Sequence, residues 1–377
     1  MKGNEPRALA ETILSSAGIE LNGSRPFDLK VKNEEFFARV LSEGSLGLGE
    51  SYMDGWWDAP KLDEFFYRLL SAGIEKQIRG NWKTLLRLLP QIIFNRQKKS
   101  KTHIIGERHY DIGNDLYQVM LDKRLTYTCG YWNSPAGEAK NLDEAQEAKL
   151  DLVCKKIGLK SGQRILDIGC GWGSFVKYAA EKYGVSAVGV TVSKEQAELA
   201  KKLCAGLPIE ILLTDYRNIT GEFDHIVSLG MFEHVGYKNY RAYFEVVARH
   251  LKDSGLFLLH TIGRNFSAKV TDAWTEKYIF PNSMLPSIKQ IGEAIEGLFV
   301  MEDWHNFGTD YDKTVIAWLE NFNQGWENLK EKYGERFYRM WTYWLYSSQV
   351  AFRVRKMQVW QIVLSKKGVP GGYRSIR

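Results

Sequence analysis

The 377-residue sequence predicts an α/β chain, a doubly wound, mainly parallel, Rossmann-like sheet preceded by a small helical N-terminal domain. Three observations lead there. From Gln163 onward, short β-branched runs alternate with amphipathic stretches of crossover length, the pattern of βαβ units. One of those strands runs straight into a glycine-rich turn and then a helical segment, the usual opening of a nucleotide-binding half. Before roughly residue 95 the apolar spacing is helical only, interrupted by glycine.

In chain order, amphipathic runs at Ala8 to Ala17, Glu34 to Leu41 and Leu62 to Leu70 form the helical part, with Gly-rich turns such as Glu43 to Gly49 between them. The polar, basic stretch from Asn95 to Lys101 reads as a linker. This divides the chain into a helical N-terminal domain (1–94), a basic linker (95–106) and an α/β domain (107–377). Strands are expected at Arg164 to Ile168, Ala187 to Val190, Ile209 to Leu213, His225 to Leu229 and Leu256 to Thr261. Two later strands, near Phe299 to His305 and Gln358 to Leu364, follow a mixed segment, and the last is expected as an antiparallel edge.

Composition limits the function classes. A hydrophobic fraction of 44% and a charged fraction of 25% belong to an ordinary globular chain, and its length favours two domains or one with a large appendage. A net charge of +6 is too small to announce a nucleic-acid binder. The four cysteines, Cys129, Cys154, Cys170 and Cys204, contain no C-x-x-C pair, so neither a zinc knuckle nor a disulfide framework is indicated. No window approaches the roughly 18 apolar residues of a membrane span, and no apolar signal core follows Met1 to Pro6, so a cytoplasmic protein is expected. Aromatics, at 13%, cluster in Tyr52 to Trp57 and Trp341 to Tyr346, a composition suited to a core and also to a membrane interface.

The segment Ile165 to Gly173 runs from an apolar strand through Asp167, Gly169, Gly171 and Gly173 into the helical stretch Ser174 to Lys182. Glycines here let the backbone turn sharply and approach a ligand that then meets the next helix N-terminus. Ser174 stands where the dinucleotide motif G-x-G-x-x-G needs its last glycine, so the spacing favours S-adenosylmethionine over NAD. The second strand ends in Val190-Thr191-Val192-Ser193 without the ribose-binding acid common to such folds. Thr191 and Gln196 offer a hydroxyl and an amide in its place, and Ser193 caps the next helix. After the third strand, Tyr216 and Arg217 either flank an adenine or form an ordinary turn.

Tyr127-Thr128-Cys129-Gly130-Tyr131-Trp132, Asp167 to Gly173, Gly230-Met231-Phe232-Glu233-His234, Leu258-Leu259-His260-Thr261-Ile262-Gly263 and Trp304 to Tyr311 together closely resemble bacterial cyclopropane fatty acid synthases, and the likeness extends over Gly44 to Trp57 and His109 to Asp115. The resemblance implies a methyltransferase that turns cis double bonds of phospholipid acyl chains into cyclopropane rings with S-adenosylmethionine as co-substrate. It implies a donor pocket lined by Tyr127, Thr128, Asp167, Gly169, Gly171, Thr191, Gln196, Tyr216, Arg217 and the backbone near Leu229. It further implies a bicarbonate ion held by Cys129, Glu233, His260, the Ile262 backbone and Tyr311. Thr128 and Gly130 depart from the serine and alanine of that hexapeptide without removing its hydroxyl. Taken singly, Cys129 reads equally as a small buried hydrophobe, His260 and Tyr311 as core residues and Glu233 as a helix cap. Position favours the functional reading, because Glu233 and His260 follow the fourth and fifth strands at the ligand-binding edge. His234 and His305 read as structural.

Alkene methylation fits such a set, because no proton must leave before attack but one must leave the added methyl afterwards, in the absence of water. Lys76, Arg79, Lys83 and Arg87 share one helix face opposite Ile78, Trp82, Leu85, Leu86 and Leu89, and Lys76 to Lys101 holds eight basic residues and no acidic one. This segment either lies on an anionic bilayer or packs its apolar face into the helical domain. The resemblance favours the bilayer, a peripheral location on the inner face of the cell membrane and a homodimer. A methyltransferase acting on a soluble substrate or RNA, and a catalytically silent lipid-binding module, are the competing readings.

Overall fold

The computed structural model describes residues 5–73, 112–135 and 137–377. Seven strands form one sheet: β1 (Arg164–Ile168), β2 (Ser186–Thr191), β3 (Ile209–Leu213), β4 (Phe223–Leu229), β5 (Leu251–Arg264), β6 (Val300–Asn306) and β7 (Met357–Ser365). Their order is β6-β7-β5-β4-β1-β2-β3. The strands from β5 across to β3 pair in parallel, while β7 runs antiparallel to both neighbours. The order reverses between β1 and β4, which leaves a crevice beyond their carboxyl ends where such sheets bind ligands.

Alternation along each strand divides the core into two layers. Leu166, Ile168, Phe257, Leu259, Trp360 and Ile362 face the helices Tyr240–His250 and Ile288–Ile295. Ile165, Val227, Leu258 and Val363 face Leu142–Lys156, Ser174–Tyr183 and Lys194–Leu203. Covering both faces makes the central strands almost continuously apolar, as parallel sheets require. This also corrects one expectation. The last strand is antiparallel but not an edge: β7 is buried along nearly its whole length between β5 and β6, and the shorter, half-exposed β6 takes the margin.

The chain divides into two compact units, and the helical one is not confined to the N-terminal third. It comprises residues 1–113 with Asp272–Pro281 and Asn323–Val354, while the sheet unit comprises Asn114–Thr271, Asn282–Phe322 and Arg355–Arg377. A continuous catalytic stretch over 107–377 is therefore not how the chain partitions. The expected linker 95–106 lies outside the described residues.

Within the helical unit the expected runs appear as Glu5–Ser16, Glu35–Glu43 and Leu62–Ser71. The Gly-rich segment read as a turn is a fourth helix, Ser45–Met53, and only Gly44, at φ +61°, makes the turn. The other glycines serve close approach: a Cβ on Gly47 would meet the Arg39 carbonyl at 2.5 Å, and one on Gly49 the Trp274 ring at 2.3 Å. The aromatic stretch Trp341 to Tyr346 lies on the helix Lys330–Arg353, and the Tyr343 ring packs against Trp274 (4.6 Å), Phe66 (5.1 Å) and Tyr52 (5.5 Å). Trp341, Tyr343 and Trp344 are buried, so these three are core here. Glu50, also buried, accepts hydrogen bonds from Lys277 (2.6 Å) and Tyr278 (2.7 Å) and pairs with Arg39, tying in the Asp272–Pro281 insertion.

Gly263 is the tightest glycine in the sheet, since a Cβ there would lie 2.0 Å from the Trp360 ring on β7. Gly263→Ala should destabilise the protein by about 1–3 kcal/mol through overpacking. Urea unfolding measures this, and an unchanged midpoint would mean that β5 and β7 are not in this register.

Candidate active site

Four segments converge on the carboxyl edge of the sheet. The first is the turn after β1. Gly169, Gly171 and Gly173 all adopt positive φ (+87°, +55° and +84°), and the Gly169 and Cys170 amides both donate to the Val190 carbonyl at 2.9 Å. A Cβ on Gly169 would strike Met231 at 2.5 Å, whereas one on Gly171 would meet nothing within 4 Å. Gly171 therefore borders open space at the start of the helix Ser174–Tyr183, as a backbone that receives a ligand must.

The second is the hexapeptide Tyr127 to Trp132, held from two sides. On one, Asp310 accepts the Trp132 amide (2.7 Å), and the Thr314 hydroxyl accepts the Gly130 amide (3.0 Å) and the Trp132 indole N–H (2.9 Å). On the other, the Tyr131 amide donates to the Ala145 carbonyl (2.8 Å), and Gln146 donates to the Thr128 carbonyl (2.7 Å). Gly130 packs closely there, since a Cβ would lie 3.0 Å from that of Ala145.

Glu233 follows β4 in a single 3₁₀ turn, Phe232–His234. Instead of capping a helix, its Oε1 accepts the Ile262 amide at 2.7 Å, while Oε2 is buried with no hydrogen-bond partner among the described residues. Burial pushes this carboxyl up to about 7, against the lowering effect of the Ile262 N–H. His260, two residues before Ile262 on β5, is also buried. Its Nδ1 lies 3.4 Å from the Gln361 amide nitrogen, directly across on β7, and its Nε2 has no partner among the described residues. With the Gln361 amide donating to Nδ1, the remaining proton belongs on Nε2. Burial, reinforced by the positive fields of Lys149 and Lys156, keeps the ring neutral.

Tyr311 and Cys129 complete the group. Burial raises the Tyr311 phenol well above its ordinary value, and the fields of Cys129 and Glu233 push it the same way. The Cys129 thiol is likewise raised by burial and donates to its neighbour's Gly130 carbonyl at 3.2 Å. It remains a thiol, not a nucleophilic thiolate.

On the donor side, Asp167 is buried and pushed up to about 7 by desolvation, and its Oδ1 lacks a partner among the described residues. Thr191 donates to Gln196 Oε1 (2.9 Å), and Ser193 caps the helix Lys194–Leu203 by accepting the Gln196 amide (3.3 Å). Tyr216 packs edge-on against Tyr243 at 5.2 Å. Arg217 is exposed and gives its guanidinium to Asp215 at 2.8 and 2.7 Å. Leu229 pairs with His260 across β4 and β5, and the Gly230 amide then donates to the His260 carbonyl (2.9 Å). Lys76, Arg79, Lys83 and Arg87 lie outside the described residues.

Several participants escaped the sequence reading. Tyr117, on the helix Asn114–Met120, packs against Tyr127 (5.1 Å) and Trp172 (4.9 Å), and Trp318 packs against Tyr127 (5.3 Å) and Tyr311 (5.8 Å). Trp172 donates to Asn114 at 2.8 Å, joining that helix to the glycine turn. In sequence these rings look like any core aromatics. Lys149 is one of many polar residues on a mixed helix, and Gln361 one of few on an apolar strand, so neither stood out.

The family described as mycolic acid cyclopropane synthetase matches residues 97–362. The cyclopropane-fatty-acyl-phospholipid synthase of Escherichia coli K12 is 53% identical over 369 residues, 98% of this chain and 95% of that protein. Among solved structures, the cyclopropane synthase MmaA2 from Mycobacterium tuberculosis superposes with a TM-score of 0.64 at 29% identity, over 69% of this chain and 97% of that one. The mycolic acid cyclopropane synthase CmaA1 complexed with SAH and CTAB gives 0.63 at 32% identity, with the same coverage.

The raised Glu233 carboxyl has a cost in stability whose sign follows from its shift. Below its ordinary value of 4.5 both folded and unfolded chains hold the proton; between 4.5 and about 7 only the folded chain does, so stability falls as pH rises through that window. A displacement of that size corresponds to about 3 kcal/mol as an upper bound. Glu233→Gln removes the ionisable group, so its stability advantage over wild type should grow by roughly 1–2 kcal/mol from pH 5.5 to pH 8. Urea unfolding at the two pH values reads this, and an advantage that shrinks with pH would overturn the assignment.

Proposed function

The chain belongs to the mycolic acid cyclopropane synthetase family and is an S-adenosylmethionine-dependent methyltransferase, and from that premise we propose that it forms cyclopropane rings on the cis double bonds of phospholipid acyl chains, with bicarbonate as the base. The observation that most supports this is a buried acceptor, Glu233 Oε2, and a buried donor, His260 Nε2, both unpartnered among the described residues and drawn to one edge of the sheet. A small ion bearing both an O–H and acceptor oxygens matches that pair.

The reaction makes two demands on these residues. The sulfonium must meet the alkene in line, for which the Gly169 to Gly173 turn and the Tyr127–Thr128 segment bind and orient the donor. The carbocation that results must lose a proton from the added methyl before water captures it. When bound, bicarbonate supplies the base for that proton. Glu233 and His260 hold the ion, with Tyr311 and, at the edge, Cys129 beside them. The Ile262 amide acts through Glu233, because it already donates to that carboxylate. Tyr117, Trp172 and Trp318 keep the site dry. One observation favours a second reading, in which Glu233 takes the proton itself: a carboxyl near 7 is well matched to general-base work at neutral pH.

We assign the substrate to a membrane surface, approached peripherally from the cytoplasmic side by a homodimer, with the basic face of Lys76, Arg79, Lys83 and Arg87 attracting anionic lipid. Each such charge near a bilayer contributes roughly 1 kcal/mol, so reversing two of them should weaken binding to anionic vesicles and flatten its salt dependence. Sedimentation with vesicles across a salt series checks this, and unchanged binding would leave the segment without a docking role.

The function itself is tested by incubating the enzyme with labelled S-adenosylmethionine and unsaturated phospholipid vesicles, then weighing the acyl chains for a gain of one CH₂. Carbonate-free buffer should abolish turnover and added bicarbonate restore it; full activity without the ion would transfer the base role to Glu233. Glu233→Ala should lower kcat by on the order of 10²- to 10⁴-fold with little change in donor affinity. Cys129→Ser should do far less harm, since a hydroxyl replaces a weak S–H donor.

A further inference from the structure

Lys149 projects from the helix Leu142–Lys156 and is completely buried. Its ammonium makes one hydrogen bond, to the Thr128 hydroxyl at 2.7 Å, and no carboxylate oxygen lies within 4 Å of it among the described residues. Asp122, Cys129 and Asp167 act on it only through their fields. A buried cation without an ion pair is costly, and an ammonium with three donors and one acceptor is under-satisfied. Burial lowers this group to about 8, which still leaves it charged at neutral pH.

The geometry around Thr128 says what the charge faces. Gln146, one turn before Lys149, holds the Thr128 carbonyl, so a single helix fixes both the backbone and the hydroxyl of this residue. The Thr128 methyl fits only because the next segment has a glycine, for a Cβ on Gly230 would lie 2.6 Å from it. A hydroxyl oxygen that accepts from an ammonium keeps its own proton for another acceptor. The result is a donor backed by an unneutralised positive charge, next to the Asp167 end of β1 and the glycine turn.

We propose that Lys149 is a positioning residue of the methyl-donor site, fixing the Thr128 hydroxyl as a donor and supplying the positive field that draws in the anionic α-carboxylate end of S-adenosylmethionine. This rests on the reading of Thr128 and Gly171 as donor-pocket residues. It adds that Lys149 acts through Thr128 and on donor affinity, not on the chemical step.

The test is a double-mutant cycle with Lys149→Met and Thr128→Val, reading S-adenosylmethionine affinity by calorimetry and KM and kcat by acyl-chain mass. Each single variant should weaken donor affinity about 10- to 100-fold, the range for a charge-assisted hydrogen bond, with kcat at saturating donor within a few-fold of wild type. The double variant should be no worse than the weaker single one. Should Lys149→Met fail to fold, Lys149→Gln, which keeps a donor without the charge, and Thr128→Val carry the same comparison. Unchanged affinity in the lysine variant, additive losses in the cycle, or a fall in kcat alone would each overturn the proposal. Gly171→Leu separates this from the underlying reading: if it too binds the donor normally, the pocket is misplaced; if it loses the donor while Lys149→Met does not, only the role of Lys149 falls.

Discussion

Dehydration of the carboxyl edge of β1, β4 and β5 is the constraint from which the rest follows. Lys149, Asp167, Glu233 and His260 all lie there with almost no exposure. In water each would hold its ordinary charge. Here the two carboxyls are pushed up to about 7, the lysine is drawn down to about 8, and the histidine stays neutral. Each shift has desolvation as its largest cause, and each group retains hydrogen-bonding capacity that the protein does not fill. Burying polar groups in that state is unfavourable unless water or a ligand completes them.

The sheet makes that edge possible. Helices on both faces bury most of the central strands, and β7, inserted antiparallel between β5 and β6, adds a further buried strand beside the one that bears His260. Without β7 there would be no Gln361 opposite His260, and nothing to set which imidazole nitrogen holds the proton. The hexapeptide is fixed by neighbours on both flanks in a similar way. Asp310 and Thr314 hold one flank and Ala145, Gln146 and Lys149 the other, so the Gly130, Tyr131 and Trp132 amides and the Thr128 carbonyl are satisfied by protein.

Stability and activity are opposed at this edge. A carboxyl that prefers its proton up to about pH 7 weakens the folded state at higher pH, and the same property leaves it able to share or take a proton near neutrality. The helical unit shows the opposite arrangement. Its buried carboxylate, Glu50, is met by Arg39, Lys277 and Tyr278 and is held below its ordinary value. Each oxygen of that carboxylate has a partner within the protein.

The chain positions of the strands, the glycine turn after β1 and the place of Glu233 just beyond β4 were legible in the sequence, because period-two apolar runs, glycine spacing and strand ends are local signals; His260 was expected after the fifth strand but lies within it. So were the Ser193 cap and the residues of the hexapeptide. The sequence could not reveal that Glu43 to Gly49 is mostly helix, since glycines that allow the approach of Trp274 look the same as glycines that turn. Nor could it place β7 inside the sheet, which depends on strand pairing across about a hundred residues. The engagement of the Ile262 amide by Glu233, the pairing of His260 with Gln361 and the burial of Lys149 against the Thr128 hydroxyl were likewise decided only by tertiary structure. Each arises from what lies across a strand or a helix, and from the removal of water, neither of which is written in the order of neighbouring residues.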